Sequence, residues 1–200
     1  PENSSEPSYS ASPTAVVCIV HSAASLRVVT LVSGYDIPIK YDLMVLLSGP
    51  EPQRSLLEEK MFSELKTFQG KAILVKGLVE PVQTKEHNNN ITICNFMTSD
   101  ELEETIQNST VIISRSGYTS IMDLAKLEKK AFFIPTPGQR EQHYLARRFS
   151  KLRIAPYCQQ SEFKIDQLKK FDNYTGFSSF KNETDFKTLF TSAKKAVALE

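Results

Sequence analysis

Residues 111–146 read VIISRSGYTSIMDLAKLEKKAFFIPTPGQREQHYLA. Val111, Ile112 and Ile113 are apolar and β-branched in succession, the pattern of a strand buried on both faces of a parallel sheet, and the run stops at Ser114-Arg115-Ser116-Gly117. Thr119 to Leu127 then places Ile121, Leu124, Ala125 and Leu127 at helical spacing. Ala131 to Ile134 returns to strand, and Pro135 and Pro137 forbid its continuation. The segment therefore predicts a βαβ unit with two polar, glycine-bearing loops. In open sheets of this kind ligands sit outside the carboxyl ends of the strands, where these loops lie. A helix starting just after Gly117 would aim unpaired N–H groups and the positive end of its dipole into that crevice, which suits a phosphate or diphosphate.

The same alternation extends upstream. Leu43 to Leu47 is an apolar run followed by Ser48-Gly49-Pro50-Glu51-Pro52-Gln53-Arg54, and Leu56 to Phe68 takes up a helical pattern. Prolines 50 and 52 remove two backbone donors and stiffen this first βα loop, which leaves Ser48, Gly49, Gln53 and Arg54 as its candidate contacts. Arg54 is the cation of choice for a phosphate, with exposure at the helix start as the alternative. Ala72 to Val75 predicts a strand ending at Lys76-Gly77, and Ile91 to Phe96 one ending at Met97-Thr98-Ser99-Asp100. Ser99 or Asp100 would cap a helix from about Glu101 to Asn108. Four or five such units in about 130 residues make one α/β domain able to bury a real core.

The motifs Ser114-Arg115-Ser116-Gly117, Asp123, Ile134-Pro135 and Gln142 are similar, in order and spacing, to the C-terminal domain of glycosyltransferase family 28. The family includes the bacterial peptidoglycan N-acetylglucosaminyltransferase, and the resemblance extends more weakly from about Tyr41 to about Tyr157. It implies a Rossmann-like parallel sheet with helices on both faces, the donor-binding half of a GT-B transferase. It further implies that the N–H groups of Tyr118, Thr119 and Ser120, beside Ser116 and Gly117 and with the Ser120 hydroxyl, hold the donor diphosphate. Asp123 would accept from the ribose hydroxyls, where the family usually has Glu. Glu141 and Gln142 fall where the family reads the sugar with two glutamines, and Leu145 where it has asparagine. Ser48, Gly49 and Arg54 fall in the loop that helps position the diphosphate, and the backbone around Phe96, Met97 and Ser99 where the uracil is recognised.

Taken one at a time, the same residues admit plainer readings. A Ser-x-Ser-Gly turn also starts helices without ligands. Asp123 alone reads as a solvated helix residue, Arg115 as a surface charge or ion pair, Phe96 equally as core, and His143 as solvent-facing. Their joint placement at adjacent strand ends favours the functional reading.

The rest of the chain is less regular. Phe163 to Phe171 and Asp185 to Val197 read as helical, with residues 173–184 a polar loop and residues 41–198 the extent of the α/β domain. Residues 1–13, rich in Ser, Pro and Glu, read as a disordered lead-in. In residues 14–40, Thr14 to Val20 and Leu26 to Val32 are β-like, either the end of a preceding domain or an edge pair added to this sheet. Leu199-Glu200 resembles a tag scar, and the resemblance implies a longer or two-chain protein in which an acceptor-binding domain outside this sequence supplies the catalytic base.

With 24 basic and 23 acidic residues the net charge is +1, so no whole-chain field favours nucleic acid. Arg147, Arg148, Lys151 and Arg153 cluster near a helix end, where they complement its dipole or meet an anionic membrane surface. Cys18, Cys94 and Cys158 are too scattered for a disulfide framework or metal site. These features suit a cytoplasmic protein, membrane-associated at most at the inner face, and the family resemblance implies a UDP-sugar as substrate with no metal and no cofactor. The alternatives within the resemblance are a stand-alone nucleotide-sugar-binding subunit needing a partner chain, and a fragment of a UDP-sugar epimerase.

Overall fold

The structure is a computed structural model that describes residues 15–22, 25–32, 39–179 and Thr191. The chain divides into two compact units, residues 1–38 and 39–200. In the first, β1 (Ala15–Ser22) and β2 (Ser25–Val32) pair antiparallel, from Ala15 opposite Val32 to Ser22 opposite Ser25. They form a two-stranded sheet of their own. The lead-in, the helix expected over 185–197 and the last two residues lie outside the described residues.

The second unit carries β3 (Tyr41–Leu46), β4 (Ala72–Val75), β5 (Lys85–Asn88), β6 (Ile91–Cys94), β7 (Ser109–Ser114) and β8 (Lys130–Phe133). Between them run α1 (Gln53–Leu65), α2 (Ser99–Gln107) and α3 (Tyr118–Lys126), and α4 (Arg140–Lys151) follows β8. The strand order is β5-β6-β4-β3-β7-β8, parallel except for antiparallel β5. Chain direction across the sheet reverses between β3 and β7, which makes their carboxyl ends the switch point where such sheets bind ligands.

Period-2 alternation along each strand sends side chains to two cores. Leu43, Val45, Leu74, Ile113 and Phe132 pack with Leu57, Met61 and Leu65 of α1. Met44, Ile73, Val75, Ile112 and Phe133 pack with Ile106 of α2, Ile121 and Leu124 of α3, and Leu145 and Phe149 of α4. After α4 the chain bridges Tyr157 to Phe133 on the β8 edge. It then packs Phe163 edge-on to Phe132 at 5.6 Å, while Phe177 meets Phe149 at 5.4 Å in the other core.

One expectation needs correction, and one strand was not foreseen. The stretch expected as helix over 163–171 forms 3-10 turns, Gln160–Glu162 and Ile165–Asn173, because it serves to place Phe163 and Phe171 on the sheet. Strand β5 has no apolar pattern to announce it: Lys85, Glu86, His87 and Asn88 are all exposed, the polar make-up that protects a sheet edge. Cys94 and Cys158 are buried free thiols, and burial pushes Cys158 up to about 12.

Candidate functional site

Four helices start near the carboxyl ends of the parallel strands, and their first turns differ in how they are satisfied. The start of α2 is closed by a capping box: Glu101 N–H donates to Thr98 Oγ1 (3.4 Å) and Thr98 N–H to the Glu101 carboxylate (2.9 Å). At α1 the Glu51 carboxylate accepts from Ser55 N–H at 3.2 Å. The start of α3 is left open. Its N-cap is Gly117, extended at φ −73° and ψ 152°, with no side-chain cap. A methyl group built on Gly117 would meet nothing within 4 Å. Among the described residues, no hydrogen bond engages the N–H groups of Thr119 and Ser120, the first bond of the helix being Ile121 N–H to Gly117 O. Such a start can hold an anion through backbone donors and dipole.

One turn further along α3, Asp123 is exposed, and among the described residues its carboxylate has no hydrogen-bond or ion-pair partner. Lys126, the nearest cation on the same helix, pairs instead with Glu103 at 3.9 Å. Partial desolvation holds the Asp123 carboxyl above the usual Asp range, Lys126 opposing and Glu103 adding to the shift. Two acceptor oxygens thus stand unengaged beside an uncapped helix start.

Other residues singled out from the sequence are committed to the protein itself. Arg54 is buried, with Nε 2.6 Å from Glu51, Nη1 2.6 Å from Glu58 and Nη2 2.9 Å from Ser55 Oγ. Its guanidinium is thus engaged by two carboxylates of its own helix region, in place of the free cation expected for a phosphate. Ser116 is fully buried and donates to Gln142 O at 2.8 Å, while Gln142 Oε1 accepts from Thr136 N–H at 2.9 Å. Those two contacts clip the β7 and β8 loops together and remove the Ser116 hydroxyl from the ligand side. The Gln142 amide N–H groups remain available, and Glu141 is exposed beside them. Leu145 is fully buried in the α4 core face.

In the loop after β3, Ser48 is partly buried and Gly49 takes φ 105°, a conformation that favours glycine. At the end of β6, the Phe96 N–H donates to Asn95 Oδ1 and its carbonyl accepts from Gln83 Nε2, both at 2.9 Å. That leaves the half-buried Met97 as the nearest backbone with no hydrogen bond among the described residues, and Ser99 as the first residue of α2 where Thr98 is the cap. A polar cavity of about 180 Å³ between α2 and the sheet takes in Met97 alone of these residues.

Sequence reading also missed two groups. Arg115 is no surface charge: it is 1% exposed and bonded to backbone carbonyls of the β3 and β8 loops. Its sequence signal was the lack of any acid within a helical turn of it. The Thr136 hydroxyl is buried without a hydrogen-bond partner among the described residues, which only the folded loop reveals.

The chain matches the glycosyltransferase family 28 C-terminal domain over residues 53–192. It belongs to that family. A relative in Sulfurihydrogenibium sp. (strain YO3AOP1), UDP-N-acetylglucosamine–N-acetylmuramyl-(pentapeptide) pyrophosphoryl-undecaprenol N-acetylglucosamine transferase, is 26% identical over 138 residues, 66% of this chain and 38% of the relative. The Wolbachia pipientis protein of the same name is 26% identical over 111 residues, 50% of this chain and 33% of that protein. The chain thus spans about a third of the length of these relatives. Among solved structures, the solution structure of ALG13 superposes with a TM-score of 0.54 at 16% identity, covering 74% of this chain and 93% of that one. The glycosyltransferase SnogD from Streptomyces nogalater gives 0.51 at 15% identity, over 78% and 43%. Membership confirms the expected family, and these structures confirm the fold: a mostly parallel sheet with helices on both faces, as in GT-B donor domains. Among the described residues no helix is long and apolar enough to cross a membrane.

Proposed function

We propose that this family 28 domain binds the UDP-sugar donor of a hexosyl- or N-acetylhexosaminyltransferase. One observation carries the reading: an uncapped helix start at Gly117 and an unengaged carboxylate at Asp123, one turn apart, at the switch point of the sheet. The N–H groups of Thr119 and Ser120, with the Ser120 hydroxyl, receive the diphosphate. Asp123 accepts from the ribose hydroxyls, the backbone at Met97 meets the uracil, and the Gln142 amide with Glu141 faces the sugar. The relatives' names make UDP-N-acetylglucosamine the first donor to test.

Catalysis in this reading is electrostatic. The α3 dipole and its N–H groups stabilise the charge that builds on the departing UDP, while Asp123 and the β8 loop hold ribose and sugar in line for attack. An acceptor-binding domain or subunit supplies the base, and neither metal nor cofactor enters. The protein works in the cytoplasm at the inner membrane face, where exposed Arg147, Arg148 and Lys151 flank exposed Leu152 and suit an anionic lipid surface.

Calorimetric titration with UDP, UDP-N-acetylglucosamine, UDP-glucose and UDP-galactose tests the reading. UDP binds the parent chain, and Asp123→Ala weakens it by about 1–3 kcal/mol, the range for a hydrogen bond to a charged group. Equal affinity in variant and parent removes Asp123 from the site, and no UDP affinity in the parent ends the donor assignment.

A further inference from the structure

Arg115 heads the fully buried side chains by size, and no role assigned above uses its charge. It leaves the end of β7 and reaches backbone carbonyls on both neighbouring loops. Nη2 donates to Gln53 O at 2.9 Å and Nε to Ser48 O at 3.4 Å, while Nη1 donates to Ile134 O at 3.1 Å and Pro135 O at 3.3 Å. Gly49 closes over it, since a Cβ there would lie 4.0 Å from Nε.

The contrast with Arg54 is chemical. Arg54 is neutralised by Glu51 and Glu58, whereas among the described residues no carboxylate lies within ion-pair distance of Arg115. Burial alone pulls Arg115 down to about 10, so it stays charged at neutral pH. Carbonyl acceptors need a donor but not a cation, and a buried charge without a counter-ion opposes folding. The bracing therefore accounts for the fork of N–H groups and leaves the charge unexplained. Its place accounts for the charge: Arg115 sits two residues before Gly117, at the switch point, with its guanidinium between the β3 and β8 loops.

We infer that Arg115 is a positioning residue for the donor diphosphate, locking the three loops that frame the crevice while its unneutralised guanidinium sets a positive potential beneath the phosphate seat without touching the ligand. The inference rests on the donor reading above and goes further, by assigning part of the phosphate affinity to a buried group.

The test is the ratio of UDP to uridine affinity in the 200-residue chain, in Arg115→Gln and in Arg115→Lys. Uridine reports the shape of the site and the ratio reports the potential at the phosphates. Removing the charge in Arg115→Gln lowers the ratio by about tenfold, the scale of one partly screened charge interaction, and Arg115→Lys keeps it within about threefold of the parent. If Arg115→Gln weakens uridine and UDP by the same factor, Arg115 is a brace only and the inference is wrong. Should Arg115→Gln fail to fold, Arg115→Lys decides alone: a preserved ratio supports the role of the charge, and a collapsed ratio despite the retained charge overturns it. A parent chain that binds neither ligand removes the donor reading itself, and this inference with it.

Discussion

An ionised carboxylate that is partly desolvated and lacks a hydrogen-bond or ion-pair partner opposes folding, and among the described residues Asp123 is such a group, Lys126 offsetting only part of the cost. Its carboxyl is raised in the folded state, so its contribution to stability is full below the ordinary Asp range and is lost as pH rises through the raised value. Asp123→Asn should therefore be more stable than the parent at neutral pH, the difference vanishing toward acid pH, while its UDP affinity falls. The residue stays open to water, so the gain is small, and thermal unfolding at several pH values measures it. A variant less stable at pH 7 would refute this reading of Asp123. Thr136 is the complementary case: its hydroxyl is buried with no hydrogen-bond partner among the described residues, so Thr136→Val should raise stability by about 1 kcal/mol, read as a higher urea midpoint at unchanged slope. Individual roles were the least legible part of the sequence. Arg54, Ser116 and Phe96 have the right chemistry for a ligand, but Glu58, Gln142 and Gln83 hold them, and those partners are set by how the loops pack.

Elements were more legible, because burial writes itself into apolar periodicity. The five parallel strands and the helices between them follow runs such as Leu43–Leu47 and the spacing of Ile121, Leu124 and Ala125. The signal fails where burial does: β5 is exposed along its whole length, and the 3-10 turns after α4 have too few anchors to impose a period. The start of α3 yields a prediction that separates folding from function. Gly117 has an ordinary negative φ and open space around it, so nothing in the fold itself demands glycine there. Gly117→Ala should be neutral or stabilising by up to about 1 kcal/mol, through the smaller entropy of its unfolded chain. Its added methyl group stands where the diphosphate must approach, so UDP affinity should drop by about tenfold, or roughly 1.4 kcal/mol. Chemical denaturation together with UDP titration checks both halves. Undiminished UDP binding would place the phosphate elsewhere.

Among the described residues, the six-stranded sheet and the two cores that cover it run from Tyr41 to Phe177. The described strands before Ile39 pair only with each other, and residues 1–38 form a compact unit distinct from residues 39–200. In the sequence the alternation of strand and helical periods with βα loops begins only after residue 40, and the two β-like runs ahead of it read as either the end of a preceding domain or an edge pair. A chain beginning at Ile39 keeps every residue assigned above to donor binding, together with the carbonyls that hold Arg115. It should unfold in a single cooperative transition and bind UDP within about twofold of the 200-residue chain, since a compact unit with its own sheet and core can fold alone. Circular dichroism melting and calorimetry on the two chains make the comparison. A truncated chain that melts broadly, or loses UDP affinity by more than about tenfold, would show that the hairpin unit completes the donor domain.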